Sequence, residues 1–377
     1  MNVCILTNIL TPYRLPLFEA IKNQVERFNV VLMARRDKER HWEVDNYGFA
    51  AQVLPGLHFK PPRHPFSVHV NYGVQGALKK IDPDVLISGG FAPANISGFL
   101  YAREAGKKHL VWGELHAQDL EQASWLKRLI RRKLIAGSAG AIASSSRARD
   151  IFVHYGLSED LVLTSVMPID VDLFSDSANA FRGSDEWHVL RQRYSPPLLL
   201  SVGRLTDSKG YWEMFQIYKR LLKHHPEASL LIAGDGPERQ VYENHCHAKG
   251  WQRVHFLGFQ APADIIKYLT IADLFVFHSL QDPFGAVVPE AMAAGTPVVS
   301  SIHAGATDDL IIEGKTGFRI DPKDFDRTTR QILHALEMPK NHRRQLVKNA
   351  RERVGQHTFA ASAKEIVDFA SSLKVGQ

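Results

Sequence analysis

Residues 281–301 read QDPFGAVVPEAMAAGTPVVSS, and this stretch holds a loop, a helix and a strand in the order that decides the fold. Phe284-Gly285-Ala286 forms a turn, and a helix is expected from about Val287 to Ala294. Gly295 stands where a C′ glycine ends a helix, and Pro297 stops its continuation. An apolar run at 274–277 precedes the loop and another at 298–301 follows the helix. Strand, helix and strand in succession make a parallel unit. The same rhythm recurs at residues 3–6, 30–33, 85–88, 108–112, 140–143, 198–202, 230–232 and 254–256. Short β-branched runs between longer helical patterns are buried parallel strands, so the expected class is α/β with doubly wound sheets.

The chain has 377 residues, which at roughly 100–200 residues per domain predicts two domains. Hydrophobic residues at 45% and charged residues at 23% exclude collagen-like, disordered and disulfide-scaffold classes. The rhythm breaks in a polar stretch at 174–197, which places an amino-terminal Rossmann-like domain at 1–175, a junction at 176–197 and a second Rossmann-like domain at 198–357. A last helical pattern, 358–377, can cross back to the first domain. Cys4 and Cys246 lie in no metal-binding pattern, so a reducing compartment is expected and a structural zinc is not. Residues 1–10 lack the basic region of a signal peptide, and the apolar stretch 134–143 is half the ~20 residues that cross a bilayer. The expectation is a cytoplasmic protein. A formal charge of +6, from 46 Lys and Arg against 40 Asp and Glu, favours an anionic partner.

In such folds ligands bind beyond the carboxyl ends of the strands, and two domains would place the site in a cleft between them. Backbone N–H groups of Phe284, Gly285, Ala286 and Val287 would open the helix at 287 toward that site, where a phosphate is favoured. Asp282 and Glu290 can border the same ligand. Glu290 suits two vicinal ribose hydroxyls, or is simply a carboxylate favoured at a helix start. The junction SVGRLTDSKG presents Arg204 and Lys209 beside Gly203 and Gly210, and two cations over a diphosphate would stabilise a departing nucleotide without a metal. Gly234 begins a GxG turn, weak for a dinucleotide, that is expected to line the nucleotide side. In the first half, His116 ends VWGELH, while Asn8, Thr11, Tyr13 and Arg14 follow the first strand and Gly90 and Phe91 a later one, as acceptor-side loops.

Asp170-Val171-Asp172 is read as a hinge and not as a metal site. Residues 125–135, WLKRLIRRKLI, form a cationic amphipathic helix. It either lies on an anionic lipid surface or is an ordinary helix with a basic solvent face. Basic and aromatic residues at 35–40 and 57–66 make the first domain the membrane-facing half. No nucleic-acid module is present.

Together, TNILTPYRLPLF, IDPDVLISGG, PIDVDLF, GRLTDSKG, IAGDGPER, HFLGF, DPFGAVVPEAMAAGTPVVSS and EGKTGFRIDPKD resemble the family 4 glycosyltransferases. The resemblance implies the two-domain GT-B fold and a retaining transferase that moves a hexose or N-acetylhexosamine from a nucleotide-sugar, usually without a metal. It implies that Arg204 and Lys209 bind the diphosphate, that Glu290 holds the ribose, that His116 lies near the donor sugar, and that the 284–287 turn meets sugar and phosphates. Asp282 occupies the first acidic position of the family's E-x7-E pattern as a shorter carboxylate. The usual glycine pair and Glu are replaced at 303–309. A UDP-sugar donor is favoured over a GDP-sugar, with a lipid-linked or cell-surface polysaccharide acceptor such as lipopolysaccharide and a peripheral site on the cytoplasmic face of the membrane. The alternatives are a nucleotide-sugar 2-epimerase of the same fold and a non-catalytic nucleotide-sugar-binding protein.

Overall fold

The structure, a computed structural model, describes residues 1–36, 47–59, 68–116 and 123–375. Residues 37–40 and 60–66 of the two basic segments lie outside the described residues. The chain forms two units, one of Met1–Pro168 with Phe359–Gln377 and one of Ile169–Thr358.

The first unit carries strands β1 (Asn2–Thr7), β2 (Arg27–Leu32), β3 (Ala50–Val53), β4 (Gly56–Phe59), β5 (Val68–Asn71), β6 (Val85–Gly89), β7 (Lys108–Gly113), β8 (Gly140–Ala143) and β9 (Val162–Thr164). Seven form a sheet ordered β3-β2-β1-β6-β7-β8-β9, parallel throughout, while β4 and β5 pair apart as an antiparallel ribbon. Strand β1, NVCILT, is buried at every position because helices cover both faces of the sheet. Val3, Ile5, Val30 and Ile87 pack with Phe18 and Ile21 of helix Leu15–Lys22 and with Ala363, Ile366 and Ala370 of helix Phe359–Ser372. Cys4, Leu6, Val31 and Leu86 face Val74, Leu78 and Tyr101 on the other side. The last helix therefore completes the core of the first unit. Lys108 Nζ donates to the carbonyls of Ala370 and Ser371 at 3.1 and 3.0 Å, which satisfies acceptors at that helix's end.

The second unit carries β10 (Leu198–Val202), β11 (Ser229–Ala233), β12 (Val254–Gly258), β13 (Leu274–Phe277), β14 (Val298–Ser301) and β15 (Phe318–Ile320) in the order β12-β11-β10-β13-β14-β15. All five pairings are parallel. In both sheets the strand order reverses once, between β1 and β6 and between β10 and β13. At such a switch point neighbouring loops leave in opposite directions and open a crevice.

The boundary corrects one expectation. The polar stretch 176–197 is not a junction, since it forms parts of two helices of the second unit, Val171–Phe181 and Asp185–Gln192. Phe174 and Ala178 anchor the first apolar face. The second is held by polar contacts instead: Trp187 Nε1 donates to the Thr270 carbonyl at 3.2 Å, and Arg191 pairs with Asp273 at 2.7 Å. Asp170 caps the helix after it, accepting from the Leu173 amide at 2.9 Å. Among the described residues no cluster of His, Cys, Asp and Glu could hold a metal ion, and no helix is long and apolar enough to cross a membrane. Cys4 and Cys246 are buried free thiols, pushed up to about 12 by burial.

Candidate functional site

The loops leaving β10 and β13, at the switch point of the second unit, are joined by a short run of hydrogen bonds. The Gly203 amide donates to the Ala233 carbonyl at 3.0 Å, and the Leu205 amide to the Asp235 carbonyl at 2.9 Å. The loop after β10 therefore lies directly on the loop after β11. A Cβ at Gly234, where φ is 147°, would stand 1.9 Å from the Gly203 oxygen, and one at Gly236 would stand 2.3 Å from the Leu205 oxygen. The GxG turn is thus required by the approach of two backbones, a role that the nucleotide-lining expectation did not foresee. Arg204, between these contacts, is exposed and has no ion-pair partner among the described residues.

Asp207–Lys209 makes one 3-10 turn, and Gly210 (φ 74°) opens helix Tyr211–Leu221. A Cβ at Gly210 would lie 2.4 Å from the His278 oxygen, so this turn too presses on the loop after β13. The amides of Leu280 and Gln281 both donate to the Ser208 carbonyl, at 3.0 and 3.1 Å, and Ser279 Oγ donates to it at 3.2 Å. This stitching brings Lys209 Nζ to 2.5 Å from Asp282 Oδ2, with the two side chains only 22% and 16% exposed. Asp282 Oδ1 accepts from the Phe284 amide at 3.2 Å. Beneath the pair, the buried His278 ring has Nε2 2.8 Å from Ser201 Oγ, and burial pushes it down to about 4. The floor of the site is therefore neutral at pH 7.

Gly285 (φ 90°) turns the chain into helix Val287–Ala294; a Cβ there would meet the Phe277 ring at 2.9 Å. The first backbone bond of the turn runs from the Val288 amide to the Gly285 carbonyl at 2.9 Å, which leaves the amides of Gly285, Ala286 and Val287 ahead of it without a backbone acceptor among the described residues. Gly295 (φ 80°) ends the helix, and Arg351 donates to the carbonyls of Ala293 and Ala294. Glu290 lies in the first turn, partly covered and with no hydrogen-bond or ion-pair partner among the described residues. Burial pushes its carboxyl up to about 8, so it is largely protonated at neutral pH. The loops at this switch point and the helix that follows thus carry an exposed cation, a paired cation and, among the described residues, three amides without a backbone acceptor and an unpartnered carboxyl. Such a set suits a ligand with a diphosphate and vicinal hydroxyls.

The first unit brings together a second set of predicted residues. Arg14, just before helix Leu15–Lys22, pairs with Glu114 and lies 5.2 Å over the Trp112 ring. Burial opposes the guanidinium charge, but Glu114 outweighs it and the pKa of Arg14 is raised. Tyr13, Arg14, Leu17, Trp112, Glu114 and Ser165 line a concavity at the strand ends. Thr11 is buried and its hydroxyl has no hydrogen-bond partner among the described residues, whereas Asn8 is exposed. Gly90 takes a positive φ of 107°, and Phe91 lies under the Arg131 guanidinium at 5.2 Å. His116, expected at the mouth of a cleft, is buried at the end of the segment that follows β7. Glu114 and Trp112 were not singled out by sequence reasoning; their only signal was their place at the end of VWGELH.

Residues 188–353 match the family described as Glycosyl transferases group 1. An uncharacterized glycosyltransferase of Methanocaldococcus jannaschii is 35% identical over 173 residues, 45% of this chain and 44% of its own. Glycogen synthase of Mycobacterium tuberculosis is 32% identical over 246 residues, 64% of this chain and 54% of its own. The chain thus spans about half the length of the curated relatives it matches. The crystal structure of Anabaena HepE in complex with UDP superposes with a TM-score of 0.76 at 20% identity, covering 99% of this chain and 100% of that one. Residues 188–353 are accordingly a group 1 glycosyl transferase domain, and the chain that carries them has the GT-B fold.

Proposed function

We propose that this protein is a retaining glycosyltransferase of family 4 type. In this reading it moves a hexose or N-acetylhexosamine from a UDP-sugar to a lipid-linked or cell-surface glycan, as a peripheral protein on the cytoplasmic face of a membrane. The observation that supports the reading is the hydrogen-bonded junction of the loops after β10 and β13, where Lys209 meets Asp282 shortly before the turn that opens helix Val287–Ala294. UDP is favoured because HepE, which shares the fold, was solved with UDP and with UDP-glucose.

The barrier falls by stabilising the leaving group. As the bond from the sugar to the diphosphate breaks, negative charge grows on the diphosphate, and Lys209, Arg204 and the amides of Gly285, Ala286 and Val287 meet it with fixed positive charge and dipoles. Glu290 accepts from the ribose, and His116 contributes a hydrogen bond to the donor sugar. Asn8, Thr11, Tyr13, Arg14, Gly90 and Phe91 are the acceptor-side residues.

Turnover of a panel of nucleotide-sugars, read as release of the nucleoside diphosphate, tests the reading. Lys209→Ala and Glu290→Ala should each lower turnover by orders of magnitude while the fold survives, and near-wild-type rates in both would sink the assignment. Formation of an isomeric nucleotide-sugar without acceptor would identify an epimerase. Donor binding without any turnover would identify a binding protein.

A further inference from the structure

Space beneath a polar site is filled most cheaply by aliphatic side chains, since a buried polar group costs stability unless its donors and acceptors are met. The residue beneath Lys209 and Asp282 is instead a histidine. His278 follows β13 directly and is buried. Its Nε2 lies 2.8 Å from Oγ of Ser201, itself buried near the end of β10, so the ring ties together the two strands at the switch point. Nδ1 is buried and makes no hydrogen bond among the described residues. Burial pushes the ring down to about 4, against backbone groups of Lys209 and Gly210 that lie near enough to favour its charge. The ring therefore stands between β10 and the Lys209–Gly210 turn. Two further contacts fix it there. The buried ring of Tyr211, which opens helix Tyr211–Leu221, meets it edge-on with centroids 4.8 Å apart, and the Tyr211 hydroxyl donates to the Gly203 carbonyl at 3.3 Å. The His278 carbonyl occupies the space beside Gly210, 2.4 Å from where a Cβ would stand. Lys209 thus has on one side Ser208, whose carbonyl the loop after β13 holds, and on the other Gly210, which abuts His278.

We propose that His278 is a positioning residue: held by Ser201 and Tyr211 and pressed against the Gly210 turn, it sets where the Lys209 ammonium meets the leaving diphosphate. This deepens the transferase reading and rests on it. His278 itself touches no reacting atom. Neutral at pH 7, it sets the turn without repelling Lys209, as a cation in its place would. An aliphatic side chain there would leave the Ser201 hydroxyl unpaired and the turn free to shift, and a shift of about 1 Å in a charge that meets the transition state costs on the order of a hundredfold in rate.

Steady-state release of nucleoside diphosphate from a nucleotide-sugar, together with isothermal titration of UDP, tests this on the full chain. UDP bears the charge that grows on the leaving group, so its affinity should follow kcat. His278→Leu should lower kcat by about ten- to a hundredfold and UDP affinity by about tenfold, while KM for the nucleotide-sugar moves by less than about threefold. His278→Gln, whose amide can reach Ser201 without a charge, should recover most of that loss, and Ser201→Ala should reproduce part of it. The same change is then made in Lys209→Ala. There His278→Leu should cost less than about twofold further, because the position of an ammonium that is gone cannot matter. Losses that multiply in the double variant would make His278 a merely structural residue and overturn the proposal, as would wild-type kcat and UDP affinity in His278→Leu. Urea unfolding confirms that each variant is folded, and where His278→Leu is not, Ser201→Ala closes the same cycle. Absence of turnover by the wild type with every nucleotide-sugar would remove the transferase reading, while the cycle read on UDP affinity would still decide the role of His278.

Discussion

Asp282→Asn removes one charge from the centre of the candidate site and almost nothing else. Lys209 Nζ and Asp282 Oδ2 are 2.5 Å apart, with exposures of 22% and 16%. At an effective dielectric of about 20 their gross attraction is about 7 kcal/mol. Desolvation of both groups offsets most of that. Breaking a fully buried pair costs about 3–5 kcal/mol and an exposed one about 1 kcal/mol or less, so this intermediate pair should cost about 2 kcal/mol. Asparagine keeps an oxygen for the Phe284 amide, which Asp282 Oδ1 meets at 3.2 Å, so the loss belongs to the charge. The variant then carries Lys209 without its counter-charge, and a diphosphate can supply one. Binding of UDP should therefore be about tenfold tighter in Asp282→Asn, equivalent to about 1.4 kcal/mol of the 2 kcal/mol lost in stability. Isothermal titration gives the affinity and urea unfolding the stability. Lys209→Ala in both backgrounds closes a double-mutant cycle in which the gain vanishes. If UDP binds Asp282→Asn no more tightly than wild type, Lys209 does not exchange Asp282 for a diphosphate, and the argument fails.

The other predictions concern pH and backbone fit. Glu290 titrates at about 8 in the folded chain against 4.5 for the free group, so the folded state holds the extra proton between those values and stability should decline as pH rises through that window. Glu290→Gln should flatten the decline in urea unfolding. If Glu290 accepts from ribose, UDP affinity in wild type should rise with pH toward 8, by at most about tenfold per unit, and be flat in the variant. His109 has the opposite sign. Its ring nitrogens sit 2.8 Å from Ser138 Oγ and 2.9 Å from Ser88 Oγ, and burial pushes it from 6.5 to about 3. The stability of keeping it neutral is present above pH 6.5 and should be lost on acidification at about 1.4 kcal/mol per unit, absent in a His109→Gln variant. Gly234→Ala, whose Cβ would lie 1.9 Å from the Gly203 oxygen, should cost about 3 kcal/mol or more by thermal unfolding. Gly250→Ala, at φ 67° with no neighbour within 4 Å, should cost only about 1 kcal/mol.

Strands buried on both faces are legible because they need no partner to identify them. β1 and β10 are continuous apolar runs, and the alternation of such runs with helices was enough to expect doubly wound sheets. β3, with burial confined to one partly covered residue, and the exposed ribbon β4–β5 carry no such run and were not read. Helix Asp185–Gln192 was mistaken for a junction for a related reason: it buries no side chain and is held by Trp187 and Arg191. The residues of the candidate site were legible one at a time, because each follows a strand. Their partnership was not. Lys209 and Asp282 are separated by 73 positions and meet only because three donors from the loop after β13 converge on the Ser208 carbonyl.

Periodicity has a further limit, and helix Trp125–Ala136 shows it. A repeat of about 3.6 residues reveals that apolar side chains share a stripe, yet it is indifferent to which way that stripe faces. Direction is set by whatever else anchors the element. Here only Leu134 and Ile135, at the carboxyl end, are buried, while Trp125, Leu126, Leu129 and Ile130 are exposed together with the bases Lys127, Arg128, Arg132 and Lys133. Leu134 stands one turn beyond Ile130, so the stripe is covered at one end of the helix and open along the rest. The same six apolar residues packed along their whole length would have given the same spacing, and nothing in the period distinguishes a covered stripe from an open one.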